Sequence, residues 1–229
     1  IRLQGEKETL GLYLTGHPVD RHRAELAQLG CAELGGIVSV DAESGGRRGR
    51  RQATVGGMVV SVRHGQTQRG PMGSVVLDDR TGRIEVTLFS EAYEHYRELL
   101  SQDRILIVTG QLSYDDYRGG WGLRAGHVHT IEQARTLKAS RLCLSLDESW
   151  LRSQEMSPKQ LTQLLREQLT PFRGEGCIFS IDFQAIGSRA RLVFDDHWRV
   201  LPEDEFLRHL SRRFGKGRVT VEYGRQASG

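Results

Sequence analysis

From Val75 to Phe89 the chain reads VVLDDRTGRIEVTLF, and apolar residues fall at every second position on both sides of a polar centre. Val75 and Leu77 alternate into Asp78–Gly82, and Ile84, Val86 and Leu88 alternate out of it. This spacing predicts two antiparallel strands that share one apolar face. Asp and Thr side chains bond nearby backbone, and Gly82 is expected to supply a positive φ, so the centre reads as a turn. Two adjacent acids also raise a carboxylate metal site, but the turn chemistry is the stronger reading.

The same two-residue period extends around this hairpin. Ala53 to Val62 is an apolar run broken by Gly56 and Gly57, which predicts a strand with a bulge or sharp bend. His64 to Pro71 (HGQTQRGP) reads as a polar loop, and Ala92 to Leu100 as a helix with Tyr93, Tyr96, Leu99 and Leu100 on one face. Arg104 to Tyr114 and Trp121 to Ile131 read as the last strands, separated by a turn-rich loop from Asp115 to Gly120. Five strands with a helix between the third and fourth is the order of the oligonucleotide- and oligosaccharide-binding barrel, the OB-fold.

Ahead of it, Leu10, Tyr13 and Leu14 have helical spacing. Gly16, His17 and Pro18 interrupt it, and Asp20 is expected to cap a second helix through Leu29. Gly35 to Arg51 is rich in Gly, Ser and Arg and is expected to be a linker or flexible loop. After residue 139 the pattern restarts. Leu142, Leu144 and Leu146 alternate, and Leu161, Leu164, Leu165 and Leu169 form a helical stripe behind Ser157 and Pro158. Cys177 to Phe183 and Ala190 to Phe194 then alternate around a turn at Gly187 and Ser188. Phe206, Leu207, Leu210 and Phe214 make a second stripe, and Val219, Val221 and Tyr223 a final strand. The order β-α-β-β-α-β predicts a ferredoxin-like α+β domain, with an extra strand at Trp198 to Leu201. The expected class is thus mixed β and α+β. Its divisions are a helical lead-in and basic linker over residues 1–50, an OB-fold over 51–135 and an α+β domain over 140–229.

A length of 229 residues fits two modest domains, and 38% apolar with 27% charged residues fits a globular protein. No apolar run is long enough to span a membrane and no signal peptide is visible, so a cytoplasmic location is expected. The chain starts at Ile1 and reads as a fragment. Three widely spaced cysteines, Cys31, Cys143 and Cys177, fit a reducing compartment and argue against a disulfide framework or zinc site. His17 and His22 lack the spacing of a helical metal pair. His127 and His129 share a strand face but have no third ligand. Net charge is only +3, yet Arg47 to Leu77 holds six arginines and no Asp or Glu, a local basic field. The arginines of the linker read as a solvated run or as phosphate contacts.

In the OB-fold, ligands cross strands two and three and are held by the loops joining strands one to two and four to five. Here those loops offer Arg63, His64, Gln66, Gln68 and Arg69 on one side, and Tyr114, Tyr117, Arg118 and Trp121 on the other. Cations meet phosphate and aromatics stack on bases. Asp115 and Asp116 oppose that role.

The strings EKETLGLYLTGHP, LDDRTGRIEVTLF and DRILIVTGQLSYDD, with the β-α-β-β-α-β tail, resemble the C-terminal region of the bacterial DNA polymerase III alpha subunit. The resemblance covers nearly the whole chain in order. It implies a barrel associated with single-stranded template DNA, and a last domain that binds the tau subunit of the clamp loader within the polymerase holoenzyme. It also implies that the parent chain is a DNA-directed DNA polymerase, a nucleotidyltransferase, whose catalytic carboxylates lie upstream. No catalytic site and no cofactor is expected here, because no nucleophile with a base, phosphate-cradling glycine loop or metal cluster stands out. The competing readings are an OB module of a tRNA-binding synthetase or helicase, and a pure protein-interaction module. Within the last domain, Arg208 and Arg212 are the expected docking residues, on the exposed side of a helix that buries Phe206, Leu210 and Phe214.

Overall fold

The structure, a computed structural model, describes residues 18–37, 51–68, 70–115 and 119–224. Leu10 to Leu14, Gly16, His17, most of the basic linker, Arg69, Asp116, Tyr117 and Arg118 lie outside the described residues. The chain divides into two compact units that meet between Ile131 and Glu132.

In the first unit, β1 (Arg51–Thr67), β2 (Gly70–Asp78), β3 (Arg83–Phe89), β4 (Ile105–Asp115) and β5 (Gly120–Thr130) form a closed barrel in the order β1-β2-β3-β5-β4. Closure depends on the length of β1. Its first half pairs with β4, from Arg51↔Leu112 to Met58↔Ile105, and its second half pairs with β2. The bulge of β1 lies between Val59 and Ser61, not at the glycines expected to hold it. Gly56 and Gly57 serve close approach instead. A Cβ on Gly56 would stand 2.7 Å from Leu26 Cδ2, and one on Gly57 2.9 Å from the Asp78 carbonyl oxygen.

Inward positions of all five strands build the core, with Val55, Val75, Leu77, Val86, Leu106, Leu112 and Leu123 fully enclosed. The short helix α2 (Ser90–Tyr96) and the 3-10 turn after it lay Tyr93, Tyr96 and Leu99 on that core, as their spacing predicts.

The described part of the lead-in, residues 18–37, packs on this unit. Its helix α1 (Arg23–Gln28) follows a 3-10 turn at Asp20–His22. Asp20 caps no helix but pairs with Arg80 at 2.5 Å. Residues 34–37 are helical, and Leu34 and Ile37 are buried in the barrel core, so the start of the expected linker is packed structure. The Asp-rich turn holds this plug in place. Asp79 Oδ1 accepts from Thr81 N at 2.8 Å, Thr81 Oγ1 at 2.7 Å and Gly82 N at 3.0 Å, while its Oδ2 accepts from Leu34 N at 2.8 Å. Thr81 Oγ1 accepts in turn from Gly35 N at 2.9 Å. Asp78 receives Arg80 N and Arg83 Nε, each at 2.7 Å. Both acids are thus turn groups, and Asp79 also docks the plug. The positive φ falls on Arg80, at 71°, not on Gly82. Gly82 is needed because a Cβ there would meet Gly35 N at 2.9 Å.

The second unit follows α3 (Ile131–Lys138) with β6 (Ala139–Asp147), α4 (Glu148–Ser153), α5 (Pro158–Leu169), β7 (Arg173–Ala185), β8 (Ser188–Val193), α6 (Asp204–Phe214) and β9 (Val219–Tyr223). A reciprocal Ser157–Gln160 capping box starts α5, as the Ser-Pro pair predicts. Apart from the additional short helix α4 the element order is the expected one, but the sheet order is β8-β7-β6-β9. The parallel strands β6 and β7 pair directly, whereas a ferredoxin-like sheet splits them with another strand. The ferredoxin-like assignment is therefore corrected, because the β7-β8 hairpin stays at the sheet edge. The extra strand expected at Trp198 to Leu201 is also not formed. Asp196–Trp198 is a 3-10 turn, after which Val200 makes isolated bridges to Arg173 and Cys177. Leu165, Leu169, Phe179, Ile181, Phe206, Leu210 and Phe214 fill a core separate from that of the barrel.

Candidate nucleic-acid interface

Because neighbouring strands of the barrel pair in register, side chains on its outer surface fall into rows. Arg63 pairs with Ser74, Ser74 with Thr87 and Thr87 with Arg124. The inward row beside it is Val62, Val75, Val86 and Leu123, and alternation therefore turns the first row to the outside. The strip crosses four strands, with an exposed cation at each end, Thr87 half-buried and Ser74 buried between them. At about 4.8 Å per strand its ends are about 14 Å apart.

In the next row Gly65 pairs with Met72, and Met72 with Phe89, which is 37% exposed. The Arg124 guanidinium lies 5.4 Å from the centre of the Phe89 ring. Two concavities meet at these residues. One, of about 690 Å³, is lined by Thr67, Gln68, Ser90 and Glu91 together with Phe89 and Arg124. The other, of about 360 Å³, includes Glu85, Thr87, Trp121 and the same pair. Together they make a trough that offers an aromatic face, a cation and hydroxyl donors, the set that suits a stacked base and its phosphate. Glu85 and Glu91 in its walls favour contact through the bases over a purely electrostatic embrace.

The sequence-predicted residues are distributed unevenly around this trough. His64 to Thr67 and Gly70 to Pro71 form a hairpin arm rather than a loop, since β1 and β2 remain paired out to Thr67↔Gly70. Thr67 Oγ1 donates to the Gly70 carbonyl at 2.9 Å, and Gly70 takes a φ of 116°. Paired backbone thus carries Arg63, His64 and Gln66 where unpaired backbone was expected, and all three side chains are exposed, as is Gln68 beyond them. His64 Nδ1 shares a 2.9 Å hydrogen bond with the Tyr93 hydroxyl, which ties the arm to α2.

Tyr114 and Trp121 sit opposite one another on β4 and β5, with ring centres 5.5 Å apart at 78°. Trp121 packs against the core, and Arg51 covers its ring at 5.5 Å. Both residues are half-buried, and Trp121 also lines the second concavity. Phe89 and Arg124 were not singled out in the sequence. Their signal was alternation, because each lies one residue from an inward leucine, Leu88 and Leu123.

His127 and His129 are stacked 6.5 Å apart, and no group of three metal-binding side chains occurs among the described residues. Burial pushes the Cys177 thiol up to about 11 and raises that of Cys143, so neither is poised as a thiolate. In the second unit Arg208 and Arg212 are exposed on α6, with Arg208 Nε donating to the Asp204 carbonyl at 3.0 Å.

Residues 53–132 match the family described as OB-fold nucleic acid binding domain. Residues 164–215 match the DNA polymerase III subunit alpha C-terminal domain. DNA polymerase III subunit alpha from Vibrio cholerae is 38% identical over 97% of this chain, and that from Escherichia coli K12 is 39% identical over 97%. In both cases the chain spans 18% of the relative's length. The small single-stranded DNA-binding protein from Streptomyces coelicolor aligns at a TM-score of 0.32 with 15% identity, covering 36% of this chain and 94% of its own. No helix among the described residues is long and apolar enough to cross a membrane.

Proposed function

We propose that this chain, which belongs to the DNA polymerase III alpha family and matches its C-terminal region, lays single-stranded template DNA across the outer face of its barrel and docks the tau subunit of the clamp loader through its second unit. The observation that carries the DNA reading is the cross-strand row from Arg63 through Ser74 and Thr87 to Arg124, with Phe89 exposed beside it. Arg63 and Arg124 bind phosphate, Phe89 stacks a base, and Gln66, Gln68 and His64 on the arm border the strand's path, with Arg69, outside the described residues, a further phosphate contact. Tyr117 and Arg118, outside the described residues, are further contacts expected from the sequence. Recognition has weak base preference, because bidentate base readout needs an array of paired donors and acceptors that this face lacks. Nucleotidyl transfer is left to the longer protein.

The test is salt-dependent binding of a labelled oligonucleotide. Arg63→Ala with Arg124→Ala should weaken binding and reduce the slope of log affinity against log salt by about 1.4, at about 0.7 per single-strand phosphate contact. Equal affinity and slope in the folded double variant would reject the face. The tau reading rests on the family match and on the second unit's own core, with 14 basic against 12 acidic residues over 140–229. Near neutrality fits a protein partner better than a phosphate backbone. Truncation after Ala139 should keep DNA binding and abolish tau capture, and charge reversal at Arg208 and Arg212 should weaken capture while leaving the melting temperature nearly unchanged.

A further inference from the structure

The sheet of the second unit ends in β8 on one side and β9 on the other. One row of β8's backbone N–H and C=O groups pairs with no strand among the described residues. Such edges are commonly blunted by burial or by a bulge, because they template pairing with another chain. All six residues of β8 are exposed, and the register runs unbroken from Ser180↔Val193 to Ala185↔Ser188. The edge also carries apolar side chains. Leu192 is 56% exposed, Val193 55%, and Ile186 at the hairpin tip 90%.

Leu192 pairs with the buried Ile181 and so points to the helix-covered face of the sheet. There it forms one wall of an apolar cleft of about 340 Å³ between β8 and α5, with Leu161, Leu165, Phe194 and Trp198. Cations surround this cleft. Arg166 lies 6.0 Å and Arg173 4.8 Å from the Trp198 ring centre, while Arg189 on β8 faces the other side of the sheet with Arg191. None of these three forms an ion pair among the described residues, whereas Arg191 beside them is held by Asp182 and Glu222.

We infer that β8 is the seat of an extended, carboxylate-bearing segment of the partner protein, added as a fifth strand. Alternate side chains of an added strand face opposite sides of the sheet, so every second one enters the cleft and fills it with apolar atoms. Acidic residues on the cleft side of the segment answer Arg166 and Arg173, and those on its other side answer Arg189. This rests on the reading that the second unit binds tau, and it names the edge and the chemistry used.

Purified tau is the probe, with the whole chain. Wild-type protein should bind tau, and tau should slow amide exchange over residues 188–193. Leu192→Asp should weaken binding at least tenfold, Leu192→Met should retain it, and Arg166→Glu should weaken it while the melting temperature holds. Wild-type binding with unchanged exchange at β8 and unaffected variants would overturn the edge and leave the tau reading standing. No wild-type binding would overturn both. A dimer of the chain that Leu192→Asp dissociates would overturn the inference in favour of a second copy.

Discussion

Replacing Asp79 tests the junction on which the first unit is built. The carboxylate is 9% exposed and accepts four hydrogen bonds, three from its own turn and one from Leu34 N, a residue with no exposure at all. Asp79→Ala removes every acceptor and leaves the Leu34 amide buried without one. A buried unsatisfied donor costs about 1–3 kcal/mol, and hydrogen bonds to a charged acceptor contribute about 1.5–3 kcal/mol each. The turn amides recover water when the side chain is lost, so the sum is well below additive, and we expect a loss of about 3–5 kcal/mol. Asp79→Asn separates the two roles. Its oxygen can keep the turn, but its amide group then faces Leu34 N donor to donor, so we expect about 1–3 kcal/mol and a local effect.

Amide exchange followed by mass spectrometry on the whole chain reads both consequences, since the two units need not unfold together. Asp79→Asn should speed exchange at Leu34 and Gly35 with little change in β3, and Asp79→Ala should speed exchange throughout the barrel. If both variants exchange as wild type at Leu34, Asp79 does not hold the plug and the argument from its hydrogen bonds fails. Primer extension by the isolated chain that disappears on substituting Asp78 and Asp79 would instead give these acids a catalytic role.

Gly82→Ala should destabilise the first unit by about 1–3 kcal/mol, measured by urea unfolding, because its Cβ would press on Gly35 N at 2.9 Å. Phe89→Ala should weaken oligonucleotide binding by about 1–3 kcal/mol without altering the salt slope, since it removes stacking and no phosphate contact. Asp147 caps α4 through Trp150 N, and hydrogen bonds from Ser149, Trp150 N and Arg218 hold its carboxyl near about 2. A depressed carboxyl contributes stability above its unfolded value and loses it on acidification, so the second unit should weaken between about pH 4 and pH 2, by about 1 kcal/mol after solvent screening. Asp147→Asn should flatten that part of the stability profile, and an unchanged profile would show that the cap is not its source.

Alternation alone determined most of the strands and both inner faces. A period of two with bulky apolar residues is compatible with one buried side, so Val75, Leu77, Val86 and Leu88 had to point inward. The same parity marked Phe89 and Arg124 as outward, although nothing in the chain said they would meet. Their meeting depends on the parallel pairing of β3 with β5, a contact between distant segments. Tertiary structure likewise decided that β6 lies beside β7, because periodicity gives each strand a face and says nothing of its neighbour. Gly56, Gly57 and Gly82 looked like bends or turn residues, since a sequence shows only that a Cβ is missing. Which atom occupies the vacant space is fixed by tertiary contacts, Asp78 when β1 pairs with β2 and Leu26 and Gly35 when the lead-in closes on the barrel.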